Sequence, residues 1–310
     1  MAKRRSPLSG LLWVVAVVAA LLVIAEVLTL TGVFSWRSLF SSAEITSSAA
    51  PLEGTLEVHY IDVGNADCIL LIQGEKTMLI DAGERGDADE ILDYLRQEGV
   101  QRLDLVIATH AHADHIGSMD RIIKEMPVGQ FLMAFMPEGE EPTSAVYTRM
   151  LEALADKKIE VTEVLPGDVY SFGAAKVHIL GPVNESNDCN AMSVVARVDY
   201  GKHRFLFTGD AEEAAEMDIL QTGADLKADV LKVGHHGSRT GTCAPFLEAV
   251  KPEYAVITCG EGNSYGHPHK PILSALEKAK VKLLRSDLNG NITFVSDGVA
   301  LLYSCERSVD

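Results

Sequence analysis

At 310 residues, with 47% hydrophobic and 23% charged side chains, the chain is too apolar to be disordered and long enough for one large domain or two small ones. Its net charge is −17. The first fifty residues carry Lys3, Arg4, Arg5 and Arg37 against Glu26 and Glu44, so the remainder holds 23 basic and 42 acidic groups; a formal −19 argues against avid, non-specific polyanion binding unless bound cations offset it.

Lys3-Arg4-Arg5 precedes a nearly unbroken apolar run from residue 10 to 30, interrupted by Glu26. Twenty-one residues at ~1.5 Å each span about 30 Å, the thickness of a hydrocarbon core. The expectation is a cytoplasmic basic tail (1–9), one transmembrane helix (10–30) and a linker (31–53), with the domain from 54 to 310 outside the cell membrane as a single-pass protein. Secretion after cleavage near Ser48-Ala49-Ala50 is the alternative.

From Gly54 onward, alternation and apolar runs predict strands around 56–60, 68–72 and 76–80, a helix over 87–97, and a strand at 103–108 that ends in His110-Ala111-His112-Ala113-Asp114-His115. Helices are expected at 117–126, 143–157, 211–221, 244–250 and 271–279. Strands are expected at 130–135, 159–164, 169–172, 176–180, 193–200, 203–208, 228–233 and 254–258, followed by terminal strands. No period of 20–50 residues recurs. Strands in series, then helices interleaved with strands, fit two sheets between helical layers. The five cysteines form no C-x-x-C pair, and the apolar neighbours of Cys68 and Cys259 suggest buried thiols rather than a disulfide frame, although one pair stays open if the domain is extracellular.

Imidazole and carboxylate suit zinc, manganese or iron, and His-x-His-x-Asp-His can serve two ions side by side. Three further segments end apolar strands with ligand-type residues: Phe207-Thr208-Gly209-Asp210, Leu231-Lys232-Val233-Gly234-His235-His236-Gly237-Ser238 and Asn263-Ser264-Tyr265-Gly266-His267-Pro268. Strand ends are where sheet proteins present site residues.

Together these segments resemble the metallo-β-lactamase superfamily. With Asp62-Val63-Gly64-Asn65-Ala66-Asp67 and Leu79-Ile80-Asp81-Ala82-Gly83, they resemble within it the soluble domain of the DNA-internalisation competence protein ComEC and its stand-alone relatives, over about residues 55–305. The resemblance implies an α/β (α+β) fold, a four-layer αββα sandwich with a dinuclear site along one edge of both sheets. Only one membrane segment is read here, so a relative is expected rather than the multi-helix transporter. The resemblance further implies that His110 and His112 hold metal one, Asp114 and His115 hold metal two, Asp210 bridges both, and His235 completes metal two, with His236 as its alternative. Many superfamily members carry another histidine near residue 190; here Asn190 stands in an Asn-x-x-Ser pattern with Ser193, which leaves metal one a weak oxygen ligand or an open position and implies either lower affinity there or a preference for manganese over zinc.

The implied chemistry is hydrolysis by a water activated between two divalent ions, zinc or manganese, with Asp114 or Asp210 orienting it. Asp81 is the candidate to hold a ligand histidine, or else a structural cap. His267 is the candidate donor to the oxyanion or leaving group, or else structural, and Ser238 and Asn263 are candidates for a phosphate oxygen; His178 reads as structural. Gly234 and Gly237 are expected to allow the turn that aims His235. The leading expectation is a phosphodiesterase or nuclease acting on DNA, nucleotides or another phosphoester. The alternatives are a hydrolase of a small or envelope-bound ester (phosphocholine-type, or a lactone) and a non-catalytic, metal-stabilised module of an uptake apparatus. No protein partner is evident.

Overall fold

The computed structural model describes residues 54–135 and 142–308. The basic tail, the apolar run 10–30 and the linker to residue 53 lie outside the described residues. Among those described, no helix is long and apolar enough to cross a membrane.

Fifteen strands and eight α-helices follow one another in these residues. The first half contains β1 (Leu56–Tyr60), β2 (Ile69–Gln73), β3 (Lys76–Ile80), α1 (Ala88–Gln97), β4 (Leu103–Ala108), α2 (Ala113–Ile116), α3 (Met119–Glu125), β5 (Val128–Ala134), α4 (Ala145–Lys157) and β6 (Val161–Val164). The second contains β7 (Val169–Phe172), β8 (Ala175–Gly181), β9 (Val195–Tyr200), β10 (His203–Phe207), α5 (Glu213–Gln221), β11 (Val230–Lys232), α6 (Ala244–Val250), β12 (Tyr254–Ile257), α7 (Lys270–Lys278), β13 (Lys282–Arg285), α8 (Ser286–Asn289), β14 (Ile292–Ser296) and β15 (Leu301–Cys305).

An eight-stranded sheet runs in the order β15-β14-β1-β2-β3-β4-β5-β6, and a seven-stranded sheet in the order β13-β12-β11-β10-β9-β8-β7. Three apolar layers follow from the two-residue period of the strands. Leu71 and Met78, paired across β2 and β3, face the second sheet along with Val58 and Tyr60, and meet Val198, Phe205 and Phe207 in the central core. Their neighbours Leu70 and Leu79 point the other way and bury Ile91 and Leu95 of α1 and Met150 of α4. On the far side Leu206, Leu231 and Ala255 cover Ile219, Phe246 and Leu276 of the second helical layer. The result is the expected αββα sandwich. Outside residues 113–126, sequence-based boundaries differ from these by at most two residues. The main departure lies at 113–118, where a short helix, α2, precedes the expected one (117–126, observed as α3), with Gly117 and Ser118 between them. All five cysteines are free thiols, with Cys68 and Cys259 buried.

What matters for function is direction. β3, β4, β5 and β6 are mutually parallel, as are β10, β11, β12 and β13. Parallel strands carry their carboxyl ends to one edge, and ligands gather there. The two edges are tied by Val194 N–H donating to Thr109 O at 2.9 Å and by Thr258 Oγ1 donating to Asp67 Oδ1 at 2.5 Å.

Candidate metal centre

Every ligand-type segment singled out above leaves the carboxyl end of a strand at this edge. Asp81 follows β3, Thr109–His115 follows β4, Asp210 follows β10, His235 and His236 follow β11, and Thr258 follows β12. The loops are stitched by backbone bonds: Asp67 N–H to Asp114 O (3.0 Å), Ala82 N–H to His115 O (2.7 Å) and Gly83 N–H to Asp67 O (2.8 Å).

Asp114, His115, Asp210 and His236 bring one ligand atom each within 4.8 Å of one another. His115 Nε2 lies 3.2 Å from Asp210 Oδ1, and His236 Nε2 lies 3.5 Å from that same oxygen and 3.4 Å from Asp114 Oδ2. Ligands about 2.1 Å from a tetrahedral ion sit roughly 3.4 Å apart, so the spacing is that of an ion's shell. His115 Nε2, His236 Nε2 and Asp210 Oδ1 are all buried and none makes a hydrogen bond. Three unsatisfied atoms converging on one point would be costly without a cation among them. The donor set, two imidazoles and two carboxylates, fits zinc, manganese or iron.

Each histidine is turned by its other nitrogen, the arrangement proteins use to fix a metal-binding tautomer. Asp81 Oδ2 lies 2.7 Å from His115 Nδ1 and accepts from Thr109 Oγ1 at 2.6 Å, while Asp81 Oδ1 accepts from Thr109 N–H at 2.8 Å. His236 Nδ1 donates to the carbonyl of Thr258 at 2.8 Å. Burial alone would push the His115 imidazole down and the Asp210 carboxyl up. Their mutual attraction, with Asp81 beside His115 and His236 beside Asp210, wins and reverses both directions. Asp114 is likewise held below the usual carboxylate range: burial would raise it, but the His236 ring nitrogen 3.4 Å away and the other nearby imidazoles outweigh that.

Behind the cluster lies Lys232, fully buried, with Nζ 2.5 Å from Asp67 Oδ2 and donating to Gly209 O at 3.0 Å. Burial would lower its pKa, but Asp67 and Asp210 more than compensate, so it stays charged. Lys232, Asp67 and Thr258 belong to the site without being among the candidates expected from sequence. Only the presence of Asp67 and Lys232 inside the motifs was a signal.

The other oxygen of Asp210 faces a second group. His110 Nε2 is 4.0 Å and His235 Nε2 3.6 Å from Oδ2, and His110 Nε2 is 3.0 Å from His112 Nδ1. His110 Nδ1 lies near the hydroxyls of Thr109 (3.2 Å) and Ser193 (3.3 Å). The preference for His235 over His236 beside Asp114 and His115 is reversed. His236 is 1% exposed and sits in that cluster, whereas the side chain of His235 is 24% exposed and lies on the Oδ2 side. The reason is backbone conformation. Both residues adopt the left-handed region (φ 50° and 52°) in a tight turn over Gly234–Gly237, so the turn is made by the histidines themselves as well as by Gly237.

The remaining candidates divide. Asn190 donates from Nδ2 to Glu212 Oε1 at 3.4 Å, and its Oδ1 is buried without a hydrogen bond. His267 reaches the site edge: its ring centroid is 5.7 Å from that of His235 and 6.4 Å from that of His236, and its buried Nδ1 makes no hydrogen bond. Burial and the neighbouring imidazoles push its pKa down to about 4. Ser238 is buried and spends its hydroxyl on Thr240 Oγ1 at 2.9 Å. Asn263 is a correction. Its Nδ2 donates to Gly260 O and His267 O (2.9 and 2.6 Å) and its Oδ1 accepts from His267 N–H (2.9 Å), so the amide is consumed in closing its own loop. His178 lies on β8, 3.5 Å from Asp199 in the second sheet.

Comparison with known proteins agrees with this architecture. A profile of the metallo-β-lactamase superfamily matches residues 61–261. ComE operon protein 3 of Bacillus subtilis is 33% identical over 207 residues, which are 66% of this chain and 26% of that protein. Competence protein ComA of Neisseria gonorrhoeae is 30% identical over 295 residues, 91% of this chain and 38% of that protein. Recombination protein 2 of Haemophilus influenzae is 31% identical over 244 residues, 77% of this chain and 28% of that protein. The chain thus spans well under half the length of these relatives. Among solved structures, CmlA, a diiron β-hydroxylase from Streptomyces venezuelae, matches with a TM-score of 0.53 at 17% identity, covering 86% of this chain and 58% of its own. The metallo-β-lactamase fold protein YhfI of Bacillus subtilis matches with 0.51 at 12%, covering 75% and 96%. Sheet order, the ligand-bearing strand ends and sequence similarity agree: the chain belongs to the metallo-β-lactamase superfamily, with competence proteins among its relatives.

Proposed function

We propose that this chain is a hydrolase dependent on two divalent ions, zinc or manganese, that cleaves phosphodiester bonds, with DNA or nucleotides as its first substrate class. Residues 10–30 anchor it in the cell membrane, with the domain 54–310 outside. The observation that carries the catalytic reading is the convergence of His115 Nε2, His236 Nε2 and Asp210 Oδ1, all buried and unbonded, beside Asp114. Metal two would be held by Asp114, His115, Asp210 and His236, and metal one by His110, His112 and the second oxygen of Asp210.

A bound pair of divalent ions supplies a water acidic enough to ionise near neutral pH and positive charge for the substrate's oxygens. The protein's part is orientation. Asp81 and the Thr258 carbonyl hold the two imidazoles in one tautomer, so neither must reorient during turnover. Asp114, on the site's open side, orients the attacking water. His267, with an unbonded ring nitrogen, donates to the oxyanion or leaving group. Lys232 offsets carboxylate charge from behind. The kinship to competence proteins supports a nucleic-acid substrate, and the basic cluster before the apolar run supports outward orientation.

One observation favours a second reading. A domain carrying a formal −19 repels a long polyanion, which suits a small or envelope-bound ester better. The full chain in detergent, assayed on single-stranded DNA and on bis(p-nitrophenyl) phosphate, separates the two. Chelation should abolish phosphodiester cleavage, and added manganese or zinc should restore it. Cleavage that survives both chelation and His112→Ala sinks the proposal. Cleavage confined to the small ester gives the second reading the advantage. Release of the chain from membranes by alkaline carbonate would overturn the anchor.

A further inference from the structure

With His236 in the buried cluster, His235 needs a role of its own. The two oxygens of Asp210 separate the histidines: His236 Nε2 is 3.5 Å from Oδ1, and His235 Nε2 is 3.6 Å from Oδ2. An extended chain would send successive side chains to opposite faces. Here two consecutive left-handed residues, a strained choice for histidine, turn both rings toward one carboxylate.

His235 is also oriented as a ligand would be. Its Nδ1 lies 3.0 Å from Glu212 Oε1 and 3.2 Å from Thr240 Oγ1, and Thr240 donates to that same Glu212 oxygen at 3.0 Å. A carboxylate on one ring nitrogen fixes the tautomer and leaves the other nitrogen free to bind. That free nitrogen shares Asp210 Oδ2 with His110 Nε2, 4.0 Å from it. Asn190, at the position where a histidine is missing, donates its amide to Glu212 Oε1 at 3.4 Å, so it meets His235 through the same carboxylate.

We infer that His235 is the third imidazole of metal one, with Glu212 as its positioning residue, and that it takes the place left by the absence of histidine between residues 187 and 193. The inference rests on the two-ion reading above. Each ion would then be held by three side chains of its own, His110, His112 and His235 for metal one and Asp114, His115 and His236 for metal two, with Asp210 between the two groups. One dipeptide, His235-His236, serves both ions.

The test is metal binding by the full chain in detergent, read as manganese stoichiometry after equilibrium dialysis, stepwise affinity by calorimetry, and the exchange-coupled Mn(II) paramagnetic resonance signal of a paired site. The wild type binds two ions. His235→Ala, at a site open enough to tolerate truncation, weakens one step at least tenfold and abolishes the coupled signal while the other step stays within about threefold. Glu212→Gln weakens that same step about 10–100-fold. His236→Ala removes the other step. His235→Gln repeats the His235→Ala result if the smaller variant is poorly folded by circular dichroism. Two unchanged steps in both His235 variants overturn the inference, as does loss of the step in Asn190→Ala but not in His235→Ala. A wild type that binds fewer than two ions overturns the two-ion reading itself, a distinct result.

Discussion

Lys232 Nζ and Asp67 Oδ2 meet at 2.5 Å beneath the metal cluster, with side-chain exposures of 0% and 2%. Each is the other's main compensation for leaving water. Removing one partner from a buried pair leaves an uncompensated charge and costs about 3–5 kcal/mol. Lys232→Met should therefore lower unfolding free energy by that order, read by urea denaturation. It should also strip the donor from Gly209 O, one residue before Asp210. The double variant Lys232→Met/Asp67→Leu should recover part of the loss. Equal losses in single and double variants would mean that the pair is not what the site leans on.

Asp81 orients one histidine of the buried cluster from behind. Its Oδ2 turns His115, and its Oδ1 holds the Thr109 N–H at the start of the ligand loop. Removing a carboxylate that orients a ligand histidine typically costs 10–100-fold in metal affinity. Asp81→Ala should show that loss in a manganese titration, with Asp81→Asn smaller because the amide keeps one acceptor. Affinity within twofold of wild type would reduce Asp81 to a structural cap.

The outline of this site was legible because its ligands sit at strand ends, where apolar runs give way to His and Asp. Strand ends marked Asp210 and His115 as candidates, and the family resemblance gave them their roles. The order of His235 and His236 was not legible, because apolar periodicity assumes regular backbone and cannot reveal two left-handed residues in a row. Nor was Asn263, whose amide was expected to meet substrate: a polar side chain in a loop says nothing about whether the loop needs it first. Lys232 was hidden for the opposite reason. It lies within an otherwise apolar strand, and only the second sheet's proximity to Asp67 explains a charge there. The four-layer fold was readable from alternation in β1, from the apolar runs of β2 and β3, and from helices of the expected length. The break between α2 and α3 was not, since it depends on how closely two loops approach.

That approach is visible at Gly117. Its backbone is ordinary for any residue (φ −56°), but a Cβ there would lie 2.3 Å from Ala113 O, 2.4 Å from Arg85 N and 2.5 Å from Glu84 C. All three neighbours are backbone and cannot swing aside. Gly117 N–H donates to Gly83 O at 2.9 Å, so the same contact joins the loop after β3 to the end of α2, which carries His115. Gly117→Ala should cost about 2–3 kcal/mol, the upper range for forced overpacking, and weaken manganese binding at the same time. Gly86→Ala, whose Cβ would meet nothing within 4 Å, is the control and should change stability little. A melting temperature for Gly117→Ala equal to that of the control would refute the close-approach account.

Glu216 on α5 offers a pH test outside the ligand set. Its carboxylate accepts from Thr242 N–H at 2.6 Å and Cys243 N–H at 2.7 Å, yet it is fully buried. Burial outweighs both amides and raises its pKa from 4.5 to about 7. A folded-state pKa above the unfolded value means that the native protein binds the proton more tightly. The associated stability is complete below about 4.5 and is lost progressively as pH rises through about 7. Glu216→Gln cannot titrate and turns an NH₂ toward one of the two amides, so it should be less stable than wild type under acidic conditions. The melting-temperature gap between the two proteins should then narrow steadily from pH 5 to pH 8, because only the wild type carries the growing cost of a buried negative charge. Taking the difference between proteins at each pH cancels the titration of every other group they share, the metal ligands included. A gap that stays constant across that range would mean that Glu216 is ionised throughout, with the two backbone donors sufficient to hold its charge.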